Sequence, residues 1–170
     1  MPTVSDFRGY AFDHVRVDAA GRNIGGRVYW KLYAIENLFR VVVHSVLTAQ
    51  AGVGWWTVAV DPGLRHKVRE RMKDYASRPW HSTPGKHDIY YTLLSDLNKI
   101  VAANSHLFKP IIADIDQWIA RLEQVRIPRN IVGHMNWPSA IDRQRIDVCH
   151  ADLQQLVTHL GNRGFPLSVP

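Results

Sequence analysis

The sequence predicts an all-α fold, a single helical bundle of about five helices, and three observations lead to that prediction. The 170 residues include 46% apolar and 10% aromatic side chains, which is enough for one hydrophobic core. Apolar residues recur at steps of three and four over several long segments. No segment shows the strict alternation of a strand ladder. We divide the chain into an irregular arm over residues 1–26, a helical domain over 27–161 and a tail over 162–170.

The first long helix is predicted from residue 27 onwards, after several glycines that indicate a turn. Gly52 and Gly54 are expected to end it, and Trp55 and Trp56 to fill the core beyond it. Its apolar positions alternate between steps of four and three and mark one buried stripe: Val28, Leu32, Ile35, Phe39, Val42 and Val46.

A strongly basic second helix is predicted over residues 64–75. Asp61 and Pro62 precede it, and this pair suits an N-cap followed by the first helical position. A loop over residues 77–87 comes next because it contains two prolines and a glycine. Asp88 is expected to cap a third helix. The apolar face of that helix is Ile89, Leu93, Leu97 and Ile100.

Two further helices complete the predicted bundle. The fourth begins near Pro110 and is expected to break or restart at Pro128, because proline lacks the N–H that a helix interior needs. The last opens at Ser139 with Asp142 three residues on, an imperfect capping box, and ends at Gly161. Their apolar faces are Ile111, Ile115, Trp118, Ile119 and Leu122, and then Ile141, Ile146, Leu153, Leu156 and Leu160.

Composition excludes several classes of protein. Cys149 is the single cysteine, so no intramolecular disulfide can form, which favours a reducing, cytoplasmic compartment. Residues 1–10 lack the apolar core of a secretory signal. The longest stretch without charge or histidine, residues 45–60, is shorter than the roughly 18 residues of a membrane span. A net charge of +6 suits a polyanionic partner without requiring one.

Motifs for metal and nucleotide cofactors are absent from the sequence. Gly85 and Lys86 are followed by His87 rather than by the Ser or Thr of a phosphate-binding loop. Gly52 and Gly54 lack the third glycine of a dinucleotide fingerprint, and no cysteine or histidine pairs have zinc spacing. We therefore expect no cofactor and no metal.

Residues 126–134 combine phosphate-binding and acid–base side chains. Arg126 and Arg129 offer permanently charged guanidinium forks that match phosphate oxygens. His134 carries an imidazole, the side chain type most often used to take or give a proton. Asn130 lies four residues before His134 and shares its helix face. Arg129 is expected at a helix start just after Pro128, where backbone N–H groups would also favour an anion.

An arginine followed by a histidine five residues later is a weak signal on its own. Chance predicts about one such pair for this composition, and Arg145 with His150 forms a second one. We interpret that second pair as a solvated helix face, with Cys149 in the core. For His134 alone, the competing interpretation is a histidine half-buried between helices.

Several ordered matches add specificity, because the sequence resembles the HEPN superfamily of all-α domains, many of which act as RNases. Its signature of arginine, a polar residue, further residues and histidine matches Arg129, Asn130 and His134. Residues 32–40, LYAIENLFR, are similar to the Swt-type branch, as are the Trp pair at 55–56 and residues 91–97, YTLLSDL. The resemblance covers roughly residues 28–160. Asn136 stands where toxins of the superfamily carry a tyrosine.

The resemblance implies a metal-independent endoribonuclease that works as a homodimer with a composite active site. Arg129, Asn130 and His134 would be its catalytic residues, and RNA its substrate. Glu36 and Arg40 would orient Arg129 or His134. A toxin or anti-phage defence effector, with an antitoxin or defence-system protein as partner, is the family role that this implies.

Two features outside the motif have competing interpretations. Glu36, Arg40 and His44 lie four residues apart and form either weak surface ion contacts or, for the first two, the orienting pair just described. The second helix carries five basic residues against one glutamate, which is either a solvated face or a phosphate-tracking surface. We assign substrate binding to Arg126 and to these five: Arg65, Lys67, Arg69, Arg71 and Lys73.

Two alternatives to an enzyme stay open at this point. One is a non-catalytic HEPN module that binds nucleic acid, a nucleotide or a partner protein inside a defence complex. The other is a purely structural helical adaptor, which a monomer with Arg129 and His134 in the core would favour.

Overall fold

The computed structural model describes residues 13–170, and over this range the chain is all-α with no strand, as the sequence predicts. A π-helical turn (Gly25–Tyr29) joins the first two helices, and a 3-10 turn (Asp88–Tyr91) precedes the fifth. The helices are α1 (His14–Ile24), α2 (Trp30–Ala51), α3 (Trp55–Ala59), α4 (Pro62–Ala76), α5 (Leu94–Ala103), α6 (Ser105–Phe108), α7 (Ile115–Gly133) and α8 (Ala140–Asn162).

Four long helices enclose the core. α2 packs against α8 and α5, and α7 packs against the same two helices. The predicted stripe of the first long helix is confirmed, because all six of its apolar residues are buried, Val28 in the π-helical turn and the other five on α2. Trp55 and Trp56 are also buried, as expected. The buried apolar side chains form a single cluster. The count of about five helices holds for the long segments, with α1 and α2 taken together and the short α3 and α6 set aside.

The predicted irregular arm over residues 1–26 differs from the structure where the structure describes it. Residues 1–12 lie outside the described residues, but His14–Ile24 is helical and runs through the π-helical turn into α2. Gly25 and Gly26 weaken a helix by about 1 kcal/mol each without ending it, and the extra residue of the π turn accommodates them. Most of α1 is exposed, so no apolar periodicity marked it in the sequence.

The third helix begins later than predicted. Asp88 lies in the 3-10 turn, and α5 starts at Leu94 with Leu93 as its N-cap residue. The Asp96 carboxylate accepts the N–H of Leu93 at 3.0 Å and so supplies the cap. Leu93 is 42% exposed and is not a core residue, whereas Leu97 and Ile100 are buried as expected.

We predicted that Pro128 breaks or restarts the fourth helix, and this prediction is wrong. α7 begins at Ile115 rather than near Pro110, and it continues through Pro128 to Gly133. A proline inside a helix costs about 3 kcal/mol. Burial of Pro128 between Val125 and Val132 on the core side offsets that cost. Residues 129–133 are therefore the last turn of a long helix and not the first turn of a new one.

The start of the last helix is confirmed and its end is not. Ser139 and Asp142 form a reciprocal capping box, with Asp142 N–H donating to Ser139 Oγ at 3.0 Å. Gly161 lies inside α8, and the glycine with a left-handed backbone is Gly164, at φ 81°. The tail then returns to the bundle, where Tyr90 donates its hydroxyl to the carbonyl of Val169.

The predicted solvated face is confirmed at Arg145 and wrong at His150. Arg145 is exposed and pairs with Asp142 at 3.1 Å. His150 is buried, and its ring meets the Trp30 ring edge-on at 4.9 Å between centroids. Cys149 is buried as predicted, and burial raises the pKa of its thiol to about 11.

One helix in the described part of the chain, Val17–Ala51, is long and apolar enough by length and composition to cross a membrane. Its apolar stripe is the one that packs against α5 and α8. A helix at the centre of a soluble bundle meets the same criteria, so the finding is weak support for a membrane span.

Two histidines lie in an aromatic cluster between α2, α3 and the loop before the 3-10 turn. His44 Nδ1 accepts the indole N–H of Trp55 at 3.3 Å, and His87 Nδ1 accepts the N–H of Ile89 at 3.1 Å. The two imidazole rings are 4.9 Å apart, and His87 stacks on Trp55. Burial lowers the pKa of both histidines, and the nearby His87 lowers that of His44 further. Asp88 opposes the shift at His87.

We expect acidification to destabilise the fold through this cluster. Both pKa values are lower in the folded state than the ordinary histidine value of 6.5. The unfolded chain therefore binds more protons as the pH falls below 6.5, and the stability is fully present only above that pH. Urea unfolding measured between pH 7.5 and 5 should show a falling free energy of unfolding. His87→Gln should reduce the slope of the profile in part, because burial also lowers the pKa of His44 and of His150. His106→Gln, at an exposed histidine on α6, should leave the profile unchanged.

Candidate functional site

The carboxylate of Glu36 joins α2 to α7. One oxygen accepts Arg40 Nη2 at 2.5 Å and the other accepts Arg129 Nε at 3.3 Å. The side chains of Glu36 and Arg40 are only 14% and 11% exposed, and that of Arg129 is 33% exposed. One carboxylate thus faces two guanidinium groups, so the three side chains together keep one positive charge. The predicted orienting role of Glu36 corresponds to this direct contact with Arg129.

Three hydrogen-bond acceptors fix the guanidinium of Arg40. Its guanidinium donates to Glu36, to Asn37 Oδ1 at 2.9 Å and to the carbonyl of Thr92 at 2.8 Å. The last bond ties α2 to the chain segment just before α5. Its Nε is buried without a hydrogen-bond partner among the described residues. Arg40 therefore fixes the position of Glu36 and leaves one buried donor unused.

These side chains line an open groove of about 570 Å³ between α2 and α7, which we call the α2/α7 groove. Its polar residues include Glu36, Arg40 and Arg129, and its rim carries two exposed tyrosines. Tyr29 is 56% and Tyr33 is 65% exposed. Sequence reasoning missed both tyrosines, because a helical pattern does not distinguish an aromatic residue at a groove from one in solvent.

Arg129 has guanidinium capacity that the protein does not use. Its Nη1 makes a long contact of 3.4 Å to Asn130 Oδ1, and its Nη2 has no partner among the described residues. A planar fork with a free edge, facing a groove, is suited to bind two oxygens of a phosphate.

His134 lies at the end of α7 and not on its first turn. It is the C-cap residue, its N–H bonds to the carbonyl of Asn130 at 2.9 Å, and it is exposed. Its neighbours Gly133 and Met135 line the α2/α7 groove, whereas the His134 side chain does not. The predicted backbone anion site at a helix N-terminus is therefore wrong, since a helix C-terminus presents carbonyl oxygens.

A second concavity lies on the other side of Arg129. This α5/α7 cavity, of about 550 Å³, is lined by residues of both helices. It brings Arg126, Arg129 and Asn130 of the predicted motif together with Lys99 of α5, which sequence reasoning did not single out. Arg126 pairs with Glu123 at 2.5 Å on its rim. The guanidinium of Arg129 thus borders both the groove and the cavity.

The basic helix α4 is only partly available for a ligand. Arg71 donates to the Asp96 carboxylate at 2.6 Å and to the carbonyl of Tyr91 at 2.8 Å, so its guanidinium ties α4 to α5. These contacts give Arg71 a structural role, and its role in substrate binding stays a prediction. Arg65 is partly buried, and Lys73 pairs with Glu70 at 2.8 Å.

Two α4 cations fit the prediction better. Lys67 and Arg69 are exposed and form no ion pair among the described residues. Lys67 lines a depression between α4 and α5 together with Asp61 and Asp96, and Lys99 lines this depression as well as the α5/α7 cavity. Lys99 thus connects the basic face of α4 to the motif on α7.

The described residues contain no group of three or more histidine, cysteine, aspartate or glutamate side chains that could hold a metal ion. No family model, curated protein or solved structure matches the chain. Its function must therefore be argued from the motif and from the geometry around Arg129.

Removal of the Glu36 charge should cost stability. Glu36→Gln keeps the shape of the side chain but leaves Arg40 and Arg129 without their carboxylate, and we expect a loss of about 1.5–3 kcal/mol in the free energy of unfolding. The matched control is Glu123→Gln, which breaks the exposed pair with Arg126 and should cost less than about 0.5 kcal/mol. Chemical denaturation measures both. Equal losses in the two variants would contradict the bridging role of Glu36.

Proposed function

We propose that this protein is a metal-independent endoribonuclease of the HEPN type. The observation that carries the proposal is Arg129, which Glu36 holds at the α2/α7 groove with one edge of its guanidinium free, five residues before an exposed histidine. The HEPN-like motif of Arg129, Asn130 and His134 supports the same reaction. Exposed Tyr29 and Tyr33 beside the groove would offer faces on which unpaired bases stack.

The reaction needs a base, an acid and stabilisation of negative charge. A base removes the proton of the ribose 2′-hydroxyl, whose oxygen then attacks the adjacent phosphorus. The bond to the 5′ oxygen breaks, and an acid gives that oxygen a proton. The products are a 2′,3′-cyclic phosphate and a 5′-hydroxyl. His134 supplies one proton transfer, and Arg129 binds the charged phosphorane. Asn130 orients the phosphate or the imidazole.

A two-fold homodimer would complete the site. One chain offers a single motif histidine, whereas the reaction uses both a base and an acid. Two copies related by a two-fold axis would bring two histidines and two arginines to one cleft. The exposure of His134 and Met135 at the end of α7 leaves that surface open for such pairing.

The second candidate is a non-catalytic HEPN module that binds nucleic acid, a nucleotide or a partner protein. One observation favours it: the His134 side chain is outside the α2/α7 groove that Arg129 lines. A phosphate held by Arg129 then binds without being attacked. Under either candidate we propose a cytoplasmic toxin or anti-phage defence role, with an antitoxin or another defence-system protein as a possible partner class.

Cleavage of RNA tests the proposal directly. Purified protein should cut tRNA or mRNA in EDTA and leave cyclic phosphate ends. His134→Ala and Arg129→Ala should each slow cleavage at least about 100-fold, because a positioned acid–base group and a charge-stabilising donor each contribute that much. Gel analysis of end-labelled RNA measures the rates, and circular dichroism checks that each variant is folded.

His106→Ala is the matched control, since His106 is an exposed histidine on α6 and should leave the rate unchanged. A folded His134→Ala protein that cleaves at the wild-type rate would remove this site from consideration. RNA binding by the wild type without any cleavage would favour the non-catalytic module.

A further inference from the structure

The α5/α7 cavity has the size and lining of a ligand site, although the reaction chemistry does not require it. Its volume of about 550 Å³ falls within the range of small-molecule sites. One wall is apolar, with Leu94 and Ile119, and the rest carries cations and amides. Such a lining can accept a flat, partly apolar group with an attached anion.

The three cations of the cavity differ in whether a carboxylate pairs with them. Arg126 is paired with Glu123 on the rim, and Arg129 with Glu36. Lys99 is exposed and has no carboxylate within ion-pair distance among the described residues. With three cations against the rim carboxylate of Glu123, the cavity lining is net positive. Arg129 shares the Glu36 carboxylate with Arg40, whereas Lys99 has no carboxylate partner among the described residues.

Asn98 provides an independent sign of a ligand. This cavity-lining residue is only 8% exposed, and its Oδ1 has no hydrogen-bond partner within residues 13–170. Its Nδ2 makes one long bond of 3.4 Å, to the carbonyl of Ile119. A buried acceptor without a partner is costly and uncommon in folded proteins. Oδ1 is covered in the unliganded protein, and because the amide torsion is soft and its one bond is long, the amide can turn toward a group that enters the cavity.

We propose that the α5/α7 cavity binds one nucleotide of the RNA, next to the phosphate that Arg129 holds. Lys99 pairs with the phosphate of this nucleotide, and Asn98 accepts an N–H from its base, which lies on the apolar wall. The site rests on the proposed function for its place beside the scissile bond. The cavity is then the part of the protein that distinguishes the base next to the scissile phosphate.

Binding of nucleoside 5′-monophosphates, inorganic phosphate and uncharged nucleosides tests this site without any cleavage. NMR titration or calorimetry gives the affinities. The monophosphates should bind more tightly than phosphate or the nucleosides. Lys99→Gln should weaken binding of both phosphate and monophosphates by about tenfold or more. Asn98→Leu should weaken the monophosphates several-fold and leave phosphate unaffected. Lys86→Gln, in the loop before the 3-10 turn, should bind like the wild type.

The outcomes separate this proposal from the RNase proposal. Wild-type affinity for the monophosphates in Lys99→Gln, or no binding by the wild type, would overturn the nucleotide site even if the protein cleaves RNA. Nucleotide binding that Lys99→Gln abolishes, in a protein that never cleaves RNA, would support the cavity while the endonuclease fails. Lys99 is exposed, so its variant should fold whether or not Asn98→Leu does.

Discussion

One carboxylate determines the arrangement of this protein around its motif. Glu36 is largely buried between two guanidinium groups that come from different parts of the chain, Arg40 on its own helix and Arg129 on α7. A buried carboxylate needs such partners, and each guanidinium in turn needs the carboxylate. The position of Arg129, whose guanidinium borders both concavities, depends on this single side chain.

The sequence predicted the parts of the fold that depend on local patterns. The stripe on α2, the Asp61 cap and the Ser139 capping box each follow from spacing or from residue chemistry at a helix end. Pro128 and Gly161 misled the prediction, because tertiary packing kept α7 and α8 helical through residues that are weak helix formers. Differences in helix propensity amount to a few kcal/mol, and the free energy gained by burying apolar side chains in the core is larger.

The sequence predicted residues of the candidate site but not how they are arranged in space. The step of four between Glu36 and Arg40 indicated a pair, but nothing local showed that Arg129 would complete it across the bundle. Lys99 gave no signal because an exposed lysine is ordinary on an amphipathic helix, and Asn98 gave none because no local pattern shows that this polar residue is buried. Arg71 looked like its basic neighbours on α4, yet its half-buried guanidinium serves the contact with Asp96.

α1 continues into α2 without a break, and this continuity determines how the N-terminal part of the described chain unfolds on warming. An isolated helix of eleven residues is marginal in water, because its first turn must form without help. Here α2 supplies the nucleus, and α1 grows from it by propagation alone. Its exposed surface contributes little packing, so α1 should fray one turn at a time on warming, well before the bundle unfolds. The π-helical turn at Gly25–Tyr29 would then be the boundary between gradual and cooperative melting, and its last residue, Tyr29, already belongs to the rim of the groove.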